Sequence, residues 1–124
     1  MGSYDRADAR EDPMEALKLA GLSVRREDRS GQAILRLEGR FDASAAELLR
    51  RIVEQSPGRI LLDFSRVRDF RDVAVPALTR GLEARQVRLV GLPKHQERLF
   101  GYFGWRERVA GSDVYYVPER LADV

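Results

Sequence analysis

Ile60-Leu61-Leu62-Asp63-Phe64-Ser65-Arg66-Val67 is the stretch that decides the fold. Three consecutive aliphatic residues open it, and polar residues then take over. A short continuous apolar run is expected of a central parallel strand covered on both faces. Parallel strands need crossover connections, usually helices. The flanking residues read that way. Upstream, Ala45, Leu48, Leu49, Ile52 and Val53 fall at i, i+3, i+4, i+7 and i+8, the stripe of a core-facing helix. Ser44-Ala45-Ala46-Glu47 reads as its capping box and Ser56-Pro57-Gly58 as its stop. Downstream, a charged loop is expected over 65–72, then a helix with Val75, Leu78 and Leu82 on one side.

Further out, Leu22-Ser23-Val24-Arg25-Arg26 alternates like a half-buried strand. Ala33, Leu35 and Leu37 alternate with Ile34, Arg36 and Glu38 in a second strand. The turn residues Asp28-Arg29-Ser30-Gly31 join the two into an antiparallel hairpin. Asp12-Pro13-Met14-Glu15 reads as the start of a short helix ended by Gly21. Residues 1–12 are polar and charged, and a disordered tail is expected there. On the C-terminal side, Val87, Leu89, Val90 and Leu92 form a strand closed by Pro93. Leu99, Phe100, Tyr102 and Phe103 sit on a helix ending at Gly104. Val114-Tyr115-Tyr116-Val117 reads as a last edge strand, with a terminal helical turn over 118–124.

The expected architecture is α/β, in one domain over 13–124 with its core over about 22–123. It has a mixed sheet of about five strands and three to four helices. An antiparallel hairpin comes first and the later strands are mostly parallel, with right-handed connections.

Composition narrows the function. The chain has 124 residues, 44% of them hydrophobic, which is enough for a core without staples. With no cysteine, a disulfide framework, a thiolate metal site and a cysteine nucleophile are excluded together. That absence fits a reducing compartment, and a cytoplasmic location is expected. No apolar run is long enough to cross a bilayer, and direct membrane insertion is not expected. The net charge is +2, and nearly every basic residue is an arginine; Lys18 and Lys94 are the lysines. The arginines are scattered among acids rather than gathered in a stripe, which argues against nucleic acid. Neither a Walker pattern nor Gly-x-Gly-x-x-Gly occurs. The sequence offers no nucleophile–base pair and no metal cluster. An enzyme, a cofactor and a metal are therefore not expected.

Three stretches carry a resemblance to a known family. Ile34-Leu35-Arg36-Leu37-Glu38-Gly39-Arg40-Phe41-Asp42 resembles the STAS signature of a strand, a glycine, and an apolar–Asp pair leading into a helix. Leu61-Leu62-Asp63-Phe64-Ser65-Arg66-Val67 is similar to the second signature, a buried strand ending in Asp–apolar–Ser. Val87-Arg88-Leu89-Val90-Gly91-Leu92-Pro93, followed by Leu99-Phe100 and Gly104, resembles the third. The resemblance implies the fold of the anti-sigma factor antagonists. It also implies a protein partner: an anti-sigma kinase-like protein or another STAS protein, with a homo-oligomer left open. Two other uses of the family, a small-molecule or nucleotide sensor and a cytosolic accessory subunit of a membrane transporter, stand as alternatives.

In the family's antagonists, the partner kinase phosphorylates a hydroxyl at the start of the helix after the second signature strand. The usual pattern there is Asp-Ser-Ser/Thr-Gly. This chain reads Phe70-Arg71-Asp72-Val73-Ala74-Val75-Pro76. Matching Phe70 and Asp72 to the pattern puts Ala74 at the acceptor position, where it offers no oxygen to phosphorylate. Either Asp72 caps the helix, with Pro76 fourth in it, or Pro76 opens the helix; the sequence leaves both open. The partner-binding candidates are Asp42, Arg68, Asp69, Arg71, Asp72, Val73 and Val75: an apolar patch within a charged rim. Asp42 is also readable as a helix-capping acid, and Asp63 as a loop organiser. His95 reads as a plain surface residue, and Trp105 as cover for the core's edge rather than a binding anchor.

Overall fold

The structure, a computed structural model, describes residues 16–19, 21–82 and 85–119. The expected tail over 1–12, the helix-start residues Asp12, Pro13 and Glu15, and residues 120–124 lie outside them.

Alternating apolar and polar residues build the N-terminal half of one sheet. β1 (Ala16–Leu19), β2 (Leu22–Arg29) and β3 (Gln32–Phe41) pair antiparallel in sequence. Ser30 and Gly31 both have positive φ, as a two-residue hairpin turn requires. Next come α1 (Ala43–Gln55), β4 (Arg59–Phe70), α2 (Ala74–Thr79), β5 (Val87–Val90) and α3 (Lys94–Tyr102). β3, β4 and β5 pair in parallel, as the helical crossovers demand. A last hairpin, β6 (Trp105–Ala110) and β7 (Asp113–Pro118), joins through β7 antiparallel to β5. The sheet order is β1-β2-β3-β4-β5-β7-β6.

Several expectations are corrected. Residues 16–19 are a strand, not part of a helix: Leu19 pairs with Leu22 across a tight turn in which Gly21 takes a positive φ. The charged stretch 65–70 is not loop but the second half of β4, because it continues the ladder with β3 as far as Phe41 opposite Phe70. The sheet has seven strands, not five. The strand missed outright is β6, whose charged Arg106, Glu107 and Arg108 hide its pairing with β7. The cap of α1 is Asp42, whose Oδ1 accepts from the Ala45 amide at 3.0 Å, not Ser44. On that helix Leu48 is exposed and Ala46 is buried in its place. α2 begins at Ala74, so Pro76 is its third residue. Its missing N–H would have had no helical partner there, so the proline costs no hydrogen bond.

The core lies on one face of the sheet. Leu35 and Leu37 from β3, Ile60, Leu62 and Phe64 from β4, and Val87 and Leu89 from β5 point into it. α1 covers them with Ala45, Ala46, Leu49 and Val53, and α2 with Ala74, Val75, Ala77 and Leu78. Phe100 of α3 closes the end of the core. It belongs to a chain of edge-on ring contacts: Phe41 to Phe64 (5.3 Å), Phe41 to Phe70 (5.0 Å), Phe70 to Phe100 (6.3 Å) and Phe100 to Trp105 (6.0 Å). Trp105 is only 2% exposed and covers the core's edge as expected. Among the described residues no helix packs on the opposite face, so Leu61 is only partly buried and not the core residue the apolar run suggests.

Two local devices fix the frame. Gly39 has φ +110°, and a Cβ there would sit 2.7 Å from the Gly21 carbonyl oxygen. Glycine lets β3 approach the β1–β2 turn closely enough for Arg40 N–H to donate to that oxygen at 3.1 Å. At the end of α1, the Arg85 guanidinium donates to the carbonyls of Val53 (2.9 Å), Glu54 (3.3 Å) and Ser56. A cation there meets the carbonyls at the negative end of the helix dipole.

Candidate functional site

The candidate site lies where β3 and β4 end and α1 and α2 begin. The Arg71 amide donates to the Phe41 carbonyl at 2.9 Å, tying the exits of the two strands together. A tight turn follows: Ala74 N–H donates to Arg71 O (3.0 Å) and Val75 N–H to Asp72 O (3.1 Å). The phenylalanine cluster packs beneath, so the junction rests on a rigid floor.

Asp72 is the organising acid. Its Oδ2 lies 3.0 Å from His95 Nε2, and its Oδ1 accepts from Gln96 Nε2 at 3.0 Å. An ionised Asp72 requires the His95 proton on Nε2. Gln96 also donates to the Phe70 carbonyl at 3.2 Å. The hydrogen bond from His95 is the main cause that holds the Asp72 carboxyl below the usual aspartate value; desolvation opposes it, and the bond from Gln96 adds a smaller lowering effect. The start of α3 is therefore pinned to the start of α2. Sequence reading missed this, because 23 and 24 residues separate the partners. One signal was present: Gln96 precedes Phe100 by four residues, so it shares the buried helix face, and a buried amide must be bonded.

Around this acid the rim is charged. Arg71 grips Asp69 with two bonds, Nε to Oδ1 at 2.9 Å and Nη2 to Oδ2 at 3.2 Å. Arg40 Nε stands 3.8 Å from Asp42 Oδ2. Arg40, Asp42, Phe70, Arg71, Asp72 and Val73 line an open depression of about 570 Å³. Asp42, Arg71, Asp72 and Val73 are thus brought together, with Asp69 beside them through Arg71. Arg68 lines a different depression, with Glu38, Ser65, Arg66 and Val67.

The apolar patch is smaller than the sequence suggested. Val73 is 61% exposed, but Ala74 and Val75 are both fully buried. Val75 turns into the core because α2 starts at Ala74 and its second residue faces the sheet. It therefore offers nothing to a partner. Ala74 is the first residue of α2. Of the hydroxyls nearby, Thr79 is 4% exposed, and the Ser65 hydroxyl lies on the opposite sheet face, donating to Asp63 Oδ1 at 2.7 Å. Among the described residues, no group of three His, Cys, Asp or Glu could hold a metal ion, and no helix is long and apolar enough to cross a membrane.

This architecture meets an independent finding. The family model described as "Mlab, STAS domain" matches residues 24–111, well over half of the chain. The chain belongs to the STAS family. A solved structure similar to this STAS domain is an antisigma-factor antagonist STAS domain from Rhodobacter sphaeroides, 25% identical, with 58% of this chain and 88% of that chain covered at a TM-score of 0.47. No curated protein matches the sequence. The matched region runs from within β2 through β6 and therefore takes in the whole junction.

Proposed function

We propose that this STAS domain is a non-enzymatic regulatory module. It docks a protein partner, an anti-sigma kinase-like protein or another STAS protein, at the junction of β4 and α2, and no phosphorylation there gates the docking. The observation that carries the reading is the start of α2: a buried alanine, at the position that the sequence match assigns to the acceptor, beside an exposed valine that shares a depression with Asp42, Arg71 and Asp72. An apolar centre with a charged rim is how protein interfaces are built. A phosphate at this point would oppose such docking by charge and desolvation; with a methyl group there, that switch has no substrate.

The test is incubation with a kinase-type anti-sigma factor and ATP, read by intact-mass spectrometry and by affinity with and without ATP. The expected result is an unmodified chain whose binding does not respond to ATP. Stoichiometric phosphate on the chain, with Ser65 the most accessible hydroxyl described near the second signature strand, would mean that the switch has moved rather than vanished. A saturable, ATP-dependent change without phosphate would favour a nucleotide sensor.

A further inference from the structure

We propose that the sheet face on which no helix packs among the described residues is a second docking surface, and that it takes an acidic amphipathic helix from a partner protein. The proposal does not rest on the junction between β4 and α2. It begins from burial. Wholly parallel sheets are found almost only with both faces covered; in this mixed sheet the parallel strands β3, β4 and β5 form the centre and are packed by helices on one face. The outer face carries the apolar residues such a cover would need. Ile34, Leu61, Val90, Tyr115 and Val117 alternate with the core residues of their strands, and all but Ile34 are only partly buried.

Charge chooses the occupant. Arg25 and Arg36 are directly opposite each other on β2 and β3, an arrangement of like charges that is unfavourable unless answered. Arg36 is answered within the chain, by Glu27 Oε1 at 3.0 Å and Asp63 Oδ2 at 3.4 Å. Those two acids are thereby used up. Arg25, Arg66 and Arg88 have no carboxylate partner among the described residues; Arg88 instead lies over the Tyr115 ring at 4.6 Å. Arg25 and Arg66 help line a depression of about 320 Å³ beside Ser23, Ser65 and Glu38. These three guanidinium groups outnumber the two carboxylates of this face that make no ion pair among the described residues, Glu38, which stands opposite Arg66 on the neighbouring strand, and Asp113 at the start of β7, and the surplus calls for acids from outside. The guanidinium groups also oppose a second copy of this face, which would bring arginine against arginine. Arginine and tyrosine around an aliphatic centre are the residue types that dominate binding surfaces.

Size sets the shape of the occupant. From β2 to β7 the face is five strands wide, roughly 24 Å at ~4.8 Å per strand, the length of a helix of about 16 residues. A helix lying across it would repeat on this side what α1, α2 and α3 do on the other.

The probe is a dye-labelled amphipathic helix of about 18 residues with a leucine stripe and glutamate flanks, titrated into the full chain by fluorescence anisotropy. Two control peptides carry lysine for glutamate, or alanine for leucine. The glutamate helix should bind saturably and at least about tenfold more tightly than either control. Arg25→Glu/Arg88→Glu should weaken it at least about tenfold while leaving the thermal melt in place, since both side chains are exposed. Leu61→Gln should weaken it with every charge intact. Val73→Asp, at the other surface, should leave it unchanged, which separates this proposal from the junction reading. Equal binding of the glutamate and lysine helices, or indifference to both the double variant and Leu61→Gln, would overturn it. So would a dimer in sedimentation that is lost in Leu61→Gln, which would put a second copy on the face.

Discussion

The two faces of this sheet obey different rules although single strands build both. Along β4, Ile60, Leu62 and Phe64 point to the helices and are no more than 1% exposed. Between them Leu61, Asp63 and Ser65 point the other way, into a mixed surface of ion pairs and aliphatic side chains. The helix-covered face is specified by packing, so its residues report on stability. The other face and the strand ends are specified by charge and by what they can meet, so their residues report on binding.

The sharpest way to break this contrast is to truncate neighbours on one strand. Phe64→Ala should cost about 3–5 kcal/mol, since it removes a fully buried ring from the aromatic cluster. Leu61→Ala, three residues away, should cost only about 1–2 kcal/mol because its side chain is only partly buried. Chemical denaturation gives both values. Equal losses would mean that the outer face is as closely packed as the inner one.

Next in size is the cap at the junction. Asp42→Ala should cost about 1 kcal/mol through the lost bond to the Ala45 amide. Asp42→Asn should recover most of it, because an amide oxygen also accepts. If Asp42→Ala instead leaves stability untouched and abolishes partner binding, Asp42 belongs to the docking surface alone.

What the sequence revealed follows the same division. The hairpin of β2 and β3, the start of β4, α1 and β5 were legible because one-sided burial writes a period of two or 3.6 into apolar residues. The run Ile60-Leu61-Leu62 misled, because an apolar residue on an uncovered face looks like one on a covered face. The second half of β4 and all of β6 were hidden by charged residues, since edge positions and sheet ends tolerate them. At the site, Val73 and Val75 could not be told apart before the helix start was known. The bonds from His95 and Gln96 to Asp72 join elements that only the folded chain brings together.

A smaller effect comes from pH. The folded-state pKa of Asp72 is lowered by His95 and Gln96, so its contribution to stability is present above the unfolded-state value. That contribution is lost as the pH falls through the folded-state value. Asp72→Asn should therefore flatten the acid limb of the stability curve below about pH 4, as should His95→Phe in part. Tyr116 marks the alkaline side. Burial, with Glu97 and Glu107 nearby, pushes its phenol up to about 12. Its stabilising contribution holds below the ordinary tyrosine range and is lost as the pH rises toward that value. An ultraviolet titration should show one late tyrosine that disappears in Tyr116→Phe. A wild-type chain whose tyrosines all ionise near pH 10 would contradict the burial of β7 against the core.

The central claim is that the exposed start of α2 is the docking point and needs no phosphate to act. The direct measurement is the affinity of a kinase-type anti-sigma factor for the wild-type chain and for Val73→Asp, by titration calorimetry, with thermal melts showing both folded. Val73 is 61% exposed, so the change should leave the fold alone. The account predicts a loss of at least about tenfold in affinity when a carboxylate enters the apolar centre. Full-strength binding by a folded Val73→Asp/Arg71→Glu double variant would contradict it and move the interface elsewhere.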